Sequence, residues 1–400
     1  MSTFHKSRTA LCLGILFYSA VAAHAADVIK IGVMNDQSGI FSDLAGPGSV
    51  VAARMAVEDA GGQVLGRKIE VLVADHQNKP DIGASIARRW YESDNVQAIV
   101  DIPVSSVGLA VQNVARSMKR IVMFSGSTSS ELIGKACSPT GFQWTFNTVS
   151  AAKGTASAIL KDGGDTWFFV ATDYAFGHAL ERDATAVIEQ NNGKVVGSVK
   201  HPLGTTDFAS YLLAAQASKA KVVALASSGS DLINAIKQSE EFGLTAGGQK
   251  VAALQTFITD THSLGLEKAK GLLLTSAFYW DLNDATRAWS RRFAERNRGR
   301  MPTMIQAGVY SAVSHYLKSI AKAGTDDGVA VAKTMHELPV NDFMTKNARV
   351  RGDGWVLRDL YLFQVKSPAE SKAPWDYYRL IREISALDAA PPETTECKAD

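Results

Sequence analysis

The sequence has few prolines, few cysteines and almost no net charge. Its 400 residues include 11 prolines and three cysteines, and 42 Lys and Arg stand against 40 Asp and Glu. No run of five like charges occurs, whereas nucleic-acid binding needs a basic patch or stripe. We therefore expect no nucleic-acid partner. The scarcity of proline argues against long proline-rich linkers, and the hydrophobic fraction of 46% predicts a chain with a large core.

The common catalytic sequence patterns are also missing. The chain has no Walker A, HExxH, GxSxG or CxxC pattern. Residues 46–51 resemble a dinucleotide fingerprint, but the sixth position is Val51 and the segment begins too far after the first predicted strand for a tight phosphate turn. We therefore expect no cofactor, no metal and no enzymatic activity. Among the histidines, only His262 is a candidate ligand contact.

The N-terminus has the pattern of a secretory signal. A basic segment at residues 5–8 precedes an apolar stretch at residues 10–23, and Ala23 and Ala25 give the small-residue spacing that a signal peptidase requires. The stretch is shorter than the roughly 20 residues that cross a bilayer as a helix. We predict that residues 1–25 are a cleaved signal peptide and that the mature protein is periplasmic.

Two cysteines remain after such a cleavage, because Cys12 lies within the apolar stretch. In an oxidising compartment an even pair is more often bridged than free. We therefore expect a Cys137–Cys397 disulfide that ties the C-terminal tail to the body of the protein. The alternative is a buried thiol and a frayed tail.

Short β-branched segments alternate with amphipathic segments of helical length after residue 28. Such alternation builds parallel sheets with right-handed crossovers. The first round predicts strands at residues 29–34, 69–74, 98–102 and 121–124. The second round predicts strands at residues 166–171, 194–199, 222–226, 251–254 and 272–278. Helix-rich sequence follows at residues 285–338, and a further strand is predicted at 357–365.

The predicted fold class is α/β, with two doubly wound parallel-sheet lobes joined by a multi-crossover hinge across a cleft. The late helices need a surface to pack on, and their return to the first lobe would make the chain cross repeatedly between lobes. We predict that residues 26–147 and 279–345 form lobe 1, and that residues 148–278 and 346–400 form lobe 2.

Ligands of open α/β sheets bind at the loops that follow the carboxyl ends of the strands. Here these loops are rich in Ser, Thr, Gly and aromatic residues and poor in charge. Hydroxyl groups and free backbone N–H groups at helix N-termini suit a small anion or carboxylate. The alternative is that the Ser and Thr residues cap helices.

Several motifs, in their order and spacing, resemble the periplasmic Leu/Ile/Val-binding family of ABC-importer receptors, which are type I periplasmic binding proteins. The resemblance extends along nearly the whole mature chain. It also includes a branch with aromatic segments at residues 278–281 and 374–377 and a cysteine near the C-terminus. The motifs are Ile31-Gly32-Val33, Gly66-Arg67-Lys68-Ile69, Phe124-Ser125-Gly126-Ser127-Thr128, Asp173-Tyr174-Ala175-Phe176-Gly177, Thr205-Thr206-Asp207-Phe208 and Ala307-Gly308-Val309-Tyr310.

The resemblance implies a ligand carboxylate held by hydroxyl and backbone N–H groups of lobe 1 and enclosed by aromatic side chains. It places the hydroxyl and N–H donors at Ser105 or Ser106, Gly126 and Thr128, and the aromatics at Phe41, Tyr174 and Phe176. With the neighbouring cleft loops, the predicted ligand-binding set is Phe41, Ser105, Ser106, Gly126, Ser127, Thr128, Tyr174, Phe176, Gly229, Gln255 and Thr256.

The sequence departs from the amino-acid binders of this family in one respect. Those proteins place an acidic residue for the ligand ammonium where this chain has Gln255 and Thr256, and the nearest carboxylates are Asp260 and Asp281. A buried ammonium without a charged partner is strongly disfavoured. We therefore expect an aromatic or short organic acid, or an amide, without an α-ammonium. The alternative is an amino acid whose ammonium is held by Asp260 or Asp281. Tyr279 and Trp280 are candidate stacking surfaces or core residues of a hinge strand.

The expected function is that of a monomeric receptor that closes on a small solute and delivers it to an ABC permease in the inner membrane. The alternative is a ligand-sensing protein of the same fold that partners a signalling receptor. An amide-hydrolysing enzyme is a more distant possibility, since it would need a nucleophile with a base within hydrogen-bond reach.

Overall fold

A computed structural model describes residues 1–3, 28–395 and 397 of the chain. The predicted signal peptide therefore lies almost wholly outside the described residues. Within the described part of the chain, no helix has the length and apolar character that a membrane crossing requires.

The first lobe is built on a six-stranded sheet with the order β2-β3-β1-β4-β5-β6. Apart from the short antiparallel pairing of β2 with β3, its strands are parallel. The central strands are buried along almost their whole length, as expected for a parallel sheet covered by helices on both faces. The elements are β1 Ile29–Asn35, α1 Gly46–Asp59, β2 Gln63–Val64, β3 Arg67–Asp75, α2 Pro80–Glu92, β4 Ala98–Asp101, α3 Ser105–Ser117, β5 Ile121–Phe124 and β6 Gly141–Gln143.

The second lobe is built on a four-stranded parallel sheet with the order β10-β9-β7-β8. It begins with a helical segment that contains one π-helical stretch, Ala152–Ala156, between α4 and α5. The elements are α4 Thr148–Ala151, α5 Ser157–Lys161, β7 Thr166–Thr172, α6 Ala175–Gln190, β8 Lys194–His201, α7 Ala209–Ala217, β9 Val222–Ala226, α8 Gly229–Glu241, β10 Lys250–Ala253, α9 Ile258–Leu264 and α10 Leu266–Ala269.

The remaining elements divide between the lobes. A three-stranded antiparallel sheet, in the order β11-β14-β15, lies beside the second lobe. The late helices return to the first lobe, where α12 packs along α1. The elements are β11 Leu273–Ser276, α11 Asp284–Arg296, α12 Met304–Ala323, α13 Gly328–Glu337, β12 Arg349–Val350, β13 Val356–Leu357, β14 Leu360–Val365, β15 Tyr378–Ile384 and α14 Ala386–Ala389.

Helix α12 also fixes the loop that follows β1. The Gln306 side-chain amide donates to Ala45 O at 3.1 Å, and the Thr303 hydroxyl donates to Leu44 O at 2.7 Å. A Cβ at Gly48 would collide with the Gln306 side chain, so the glycine allows α1 and α12 to approach closely. The C-terminal part of the chain thereby holds a cleft loop of lobe 1 in place.

Two details differ from the sequence-based prediction. The predicted strand at residues 272–278 is shorter and pairs antiparallel with β14 instead of extending the parallel sheet. The β12–β13 hairpin packs on lobe 1, because β12 contacts α13 and Trp355 bridges to Gln143. The segment at residues 349–357, which the prediction assigned to lobe 2, thus lies with lobe 1. Two-residue strands show no periodicity from which their partner could be inferred.

The predicted pair Cys137 and Cys397 forms a disulfide with a Cα–Cα distance of 5.8 Å. The tail that leads to it also makes two polar contacts. The Lys153 ammonium donates to Ala390 O at 2.6 Å, and the Arg351 guanidinium donates to Pro391 O at 2.8 Å. The tail therefore runs from the second lobe back to the first.

Candidate functional site

A small closed cavity lies between the two lobes, at the carboxyl ends of their parallel strands. Its volume is about 10 Å³, close to the space for one water molecule. Both lobes supply its walls, which are Phe41, Leu44, Pro103, Gly126, Thr128 and Ile305 from lobe 1 and Tyr174, Phe176, Ser228, Gln255 and Phe257 from lobe 2.

The lobe 1 wall depends on the loop that follows β5. A Cβ at Gly126 would lie 2.6 Å from the Cα of Pro103, so only glycine lets these two loops touch. The next residue, Ser127, donates its hydroxyl to Ile102 O at 2.5 Å and is turned into the lobe. Thr128 follows and borders the cavity.

One hydrogen bond spans the cleft at this cavity. The Thr128 hydroxyl of lobe 1 donates to the Gln255 side-chain oxygen of lobe 2 at 3.1 Å, and both residues are buried. The lobes therefore meet directly where the sequence placed the ligand carboxylate. The pair has donors and acceptors but no formal charge.

The lobe 2 wall is largely aromatic. The rings of Tyr174 and Phe176 lie 5.9 Å apart at the start of α6, and Phe257 precedes α9. Burial raises the pKa of the Tyr174 hydroxyl, so this group stays protonated at neutral pH. The cavity thus combines flat apolar surfaces with a few neutral polar groups, which is typical of sites for small organic ligands.

Three long helices begin at the edge of this cavity, namely α3, α6 and α8. In the described chain, their N-cap residues Val104, Tyr174 and Ser228 make no side-chain capping hydrogen bond. The first N–H groups of an α-helix have no partner within the helix and carry a partial positive charge. The arrangement provides backbone donors for an anionic group, as the sequence predicted.

Six of the eleven predicted binding residues line the cavity, and five lie elsewhere. Ser105 accepts a hydrogen bond from Ser129 N–H at 3.2 Å, and so it supports the Thr128 loop from behind. Ser127 faces Ile102, and Ser106 is partly exposed on α3. Thr256 borders a second internal cavity, and Gly229 borders a larger outer one. Sequence patterns locate the loops but not the direction of each side chain within them.

Five residues of the cavity wall were not among the predicted binding residues. Leu44, Pro103, Phe257 and Ile305 are apolar, and Ser228 precedes a helix as many serines do. Nothing in their local pattern distinguishes them from core or capping residues. A signal was available for Leu44, Pro103, Ser228 and Phe257, which lie inside the predicted cleft loops, but not for Ile305.

His262 and the candidate stacking residues Tyr279 and Trp280 contact the C-terminal segment at residues 375–377. The His262 ring stacks on Trp375 with centroids 4.1 Å apart, and Nδ1 lies 2.7 Å from the Tyr377 hydroxyl. Tyr279 and Trp280 both donate hydrogen bonds to Trp375 O. These aromatic residues therefore hold the C-terminal segment against the hinge strand and do not line the inner cavity.

No carboxylate from the described residues lines the inner cavity. Asp281 pairs with Arg287 at 2.9 Å. Asp260 lies on the wall of the outer cavity, where its carboxyl accepts a hydrogen bond from Phe257 N–H. Burial raises the pKa of Asp260 to about 7, and the charge of Asp43 acts in the same direction. The inner cavity thus offers no charged partner for an ammonium group.

A buried carboxyl lies just behind the lobe 1 loops. Asp101 ends β4 with a φ of 88°, and its side chain accepts a hydrogen bond from the Asn35 amide at 2.8 Å. Burial raises the pKa of Asp101 to about 7. Asp101 O also accepts from Gly126 N–H, so this residue positions the Gly126 loop.

One serine lies within hydrogen-bond reach of a histidine. The Ser227 hydroxyl is 2.7 Å from His201 Nε2, and His201 Nδ1 is 3.0 Å from Pro202 O. Both side chains are fully buried, and Ser227 is not on the wall of the inner cavity. The second nitrogen of the His201 ring contacts a backbone carbonyl, whereas a catalytic triad has a carboxylate in that position. Burial lowers the pKa of His201. The hydrogen bond between Ser227 and His201 joins the end of β9 to the end of β8.

Most of the chain resembles proteins whose sequences or structures are known. The Leu/Ile/Val-binding protein homolog 6 of Brucella melitensis is 26% identical over 295 residues, which cover 73% of this chain and 74% of that protein. A periplasmic binding protein from Burkholderia mallei has a crystal structure that matches with a TM-score of 0.90 and 43% identity, over 93% of this chain and 98% of that one.

A second crystal structure points in the same direction. A branched chain amino acid ABC transporter periplasmic ligand-binding protein from Burkholderia xenovorans matches with a TM-score of 0.80 and 36% identity, over 91% of this chain and 97% of that one. The family model described as Periplasmic binding protein matches residues 28–372. With two doubly wound lobes around a cleft, the chain belongs to the periplasmic binding protein family and has its type I fold, as the sequence motifs predicted.

Proposed function

We propose that this protein is the periplasmic receptor of an ABC importer and that it captures a small carboxylate or amide ligand without an α-ammonium. The observation that supports this most directly is the inner cavity, where uncharged donors and aromatic rings from both lobes meet. Because this space is close to that of one water molecule, only the acid or amide group of a ligand would enter it, and the rest of the ligand would extend along the cleft. Contacts with both lobes would favour the closed arrangement.

The preference for an acid without an α-ammonium rests on charge. The resemblance to the family's amino-acid binders implies that Gln255 replaces their acidic residue, and in this structure Gln255 already accepts the Thr128 hydroxyl. An ammonium buried beside it would be left without a counter-charge, at a cost of several kcal/mol. A carboxylate could instead accept hydrogen bonds from Thr128 and from the uncapped helix N-termini.

We further propose that the mature protein acts in the periplasm, delivers its ligand to an inner-membrane permease and catalyses no reaction. Family members are periplasmic. The Ser227–His201 pair has no exposed surface at which a substrate could be attacked. Substitution of Ser227 by alanine should therefore leave ligand binding within about twofold of the wild type.

A thermal-shift screen tests the ligand class. A ligand that binds the folded state raises stability by an amount that grows with the logarithm of its saturation. Benzoate, 4-hydroxybenzoate and butyrate are compared with leucine, valine and glutamate as probes. We expect at least one acid without an α-ammonium to raise Tm, and the amino acids to have little effect. A response to leucine or valine alone would overturn the proposed ligand class.

The variant Thr128→Val tests the site. Valine keeps the shape of threonine but removes the hydroxyl that reaches across the cleft. We expect binding of the responding probe to weaken about tenfold, the usual effect of losing a hydrogen bond to a charged group. Thr245→Val, on an exposed turn of lobe 2, is the matched control. Equal affinities in both variants would place the ligand elsewhere.

A further inference from the structure

A second and larger cavity lies between the lobes, outside the small one. Its volume is about 410 Å³. The loop after β1 forms its lobe 1 wall, and the first turns of α8 and α9 form its lobe 2 wall. Leu44 borders both the inner and the outer cavity. A ligand that fills the inner cavity and extends past Leu44 would therefore enter the outer one.

Two carboxyl groups meet at this outer cavity, one from each lobe. Asp260 is 2% exposed, and within the described chain it forms no ion pair with a basic side chain. Asp43 lies opposite, close enough for its charge to act on Asp260. The lobes thus bring two acidic groups together when they meet. In a partly buried space this repulsion is larger than in water, unless a cation lies nearby.

A hydroxyl without a partner lines the same cavity. Thr259 is 6% exposed, and its Oγ1 has no hydrogen-bond partner among the described residues. Ser230 and Ser263 add further hydroxyl groups to the lobe 2 wall. Hydroxyl and carboxyl oxygens in this arrangement can accept the several hydrogen bonds that an ammonium donates. Buried polar groups that lack a partner in the protein are frequently satisfied by a ligand.

The cations near the cavity leave Asp260 uncompensated. Arg300 pairs with Asp43 at 2.7 Å, but both side chains are about half exposed. His262 is exposed on α9. Desolvation of its ring and the charge of Arg300 lower its pKa, so the ring is neutral at pH 8. Among the residues that line this cavity, only Asp43 and Asp260 carry a carboxyl group, and Asp260 is the buried one. Arg300 and His262 lie nearby, and the buried carboxyls of Asp36 and Asp231 behind the two walls accept backbone N–H groups of Gly39 and Gly204.

We propose that the outer cavity binds a cationic nitrogen of the ligand, held between Asp260 and Asp43, while the acid or amide end of the same ligand lies in the inner cavity. This inference rests on the proposed function and narrows its ligand class to molecules with a carboxylate or amide at one end and a remote ammonium at the other. A metal ion is a poorer candidate, since no group of three possible metal ligands occurs among the described residues.

Such a ligand differs from an α-amino acid in the distance between its charges. Its acid end would meet Thr128, Gln255 and the helix N-termini, all of them uncharged. Its cation would lie past Leu44, beside a carboxyl from each lobe. The cation would remove the repulsion between Asp43 and Asp260, so binding would also favour closure of the lobes.

Matched pairs of probes test the proposal by isothermal titration calorimetry at pH 8, where Asp260 is mainly ionised. The pairs are butyrate with 4-aminobutyrate, hexanoate with 6-aminohexanoate, and 4-methylbenzoate with 4-(aminomethyl)benzoate. In at least one pair we expect the ammonium compound to bind about tenfold or more tightly than the carboxylate that lacks the ammonium, as for a hydrogen bond between charged groups. At pH 5 this preference should shrink, because Asp260 is then protonated.

The variant Asp260→Asn locates the effect. Asparagine keeps an oxygen that can accept the Phe257 N–H, so helix α9 retains its cap. We expect the affinity ratio between the ammonium compound and its partner to fall to about one, while the carboxylate that lacks the ammonium binds as in the wild type. Asp284→Asn, at a fully exposed carboxyl on α11, is the control and should keep the preference.

The outcomes separate this inference from the proposed function. If the carboxylates without an ammonium bind and their ammonium partners bind no better in every pair, the outer cavity does not recognise a cation, and the proposed function stands. If the preference survives in Asp260→Asn, the cation is bound elsewhere and the inference is wrong. If none of the acids binds, both the proposed ligand class and this inference are wrong.

Discussion

Gly229 lies where the two lobes touch. Its φ is 63°, and a Cβ on this residue would lie 2.5 Å from Ile40 O and 3.0 Å from the ring of Phe41 in the other lobe. A side chain here would conflict with its own backbone conformation and would also push the lobes apart. The contact between the lobes thus depends on the absence of one side chain.

The variant Gly229→Ala should weaken ligand binding. Strain in the left-handed region costs about 1 to 2 kcal/mol, and the clash with Ile40 acts on the closed state alone. We expect at least about tenfold lower affinity for the responding probe and a larger radius of gyration with ligand present, measured by calorimetry and small-angle X-ray scattering.

Gly243→Ala is the matched control for this variant. Gly243 has nearly the same φ, 67°, but a Cβ on this residue would have no atom within 4 Å outside its immediate chain neighbours. The control should therefore lose stability without losing affinity. If the two variants bind equally well, Gly229 does not limit closure.

At the scale of residues, the sequence predicted the loops of the site better than the contacts within them. Thr128, Gln255 and Phe176, three of the predicted binding residues, lie on the inner cavity. Ser127 and Ser105 turn away, because each satisfies a backbone group of a neighbouring loop. The direction of each side chain depends on contacts with residues that are distant in the sequence, so a local sequence pattern does not predict it.

The end of strand β4 combines a strained backbone with a buried carboxyl. Asp101 and Ile102 have φ values of 88° and 54°, in the left-handed region that non-glycine residues seldom occupy. One oxygen of the Asp101 carboxyl accepts from Asn35, and the other has no partner among the described residues. A protonated carboxyl fits this environment, since a buried negative charge would be poorly compensated.

The folded protein should therefore become less stable as Asp101 loses its proton. Its pKa is about 7 when folded, against about 4 for an unfolded aspartate. The folded state then holds a proton that the unfolded state releases, so this contribution is present below pH 4 and is lost as the pH rises through 7. The slope from one such group is at most about 1.4 kcal/mol per pH unit.

The variant Asp101→Asn should remove this dependence. Asparagine can accept the Asn35 hydrogen bond and tolerates a positive φ. We expect the variant to gain Tm relative to the wild type at pH 8 but not at pH 4, as measured by differential scanning calorimetry. Comparison at each pH cancels other titrating groups such as Asp260. The same difference in Tm at both pH values would show that Asp101 does not titrate in this range.

At the scale of elements, strands with strong β-branched runs were predicted well, and short ones were not. Strands β1, β4, β5 and β9 lie within about one residue of their predicted ranges, since continuous apolar runs mark buried parallel strands. The two-residue strands β2, β12 and β13 have no such run. The pairing of β11 with β14 joins segments nearly 90 residues apart, which local sequence does not encode.

The whole molecule is joined by several chain crossings and one covalent link. The chain passes between the lobes near residues 147, 278 and 358, and the C-terminal tail crosses once more to reach Cys137. A polar cluster also spans the lobes near the first crossing. There Arg182 donates to Ser130 and Glu131, and Ser130 donates to Asp183. The disulfide closes a segment of 260 residues that contains the whole second sheet.

The variant Cys397→Ser should lower Tm, because the unfolded chain regains the entropy that the cross-link removes. The loop-entropy estimate for a segment of this length is about 5 kcal/mol. The tail should also become susceptible to protease between α14 and its end, although Lys153 and Arg351 still contact its backbone. Differential scanning calorimetry and limited proteolysis measure the two effects.

Cys137→Ser and the double variant complete this test. If the disulfide alone accounts for the loss, each single variant and the double variant should have the same Tm, because the second substitution has no bond left to remove. Reductant should lower the Tm of the wild type to that common value and should leave the variants unchanged. Additive losses in the double variant would instead mean that each sulfur stabilises the fold by packing in its buried site, and that the covalent link between tail and lobe 1 contributes little.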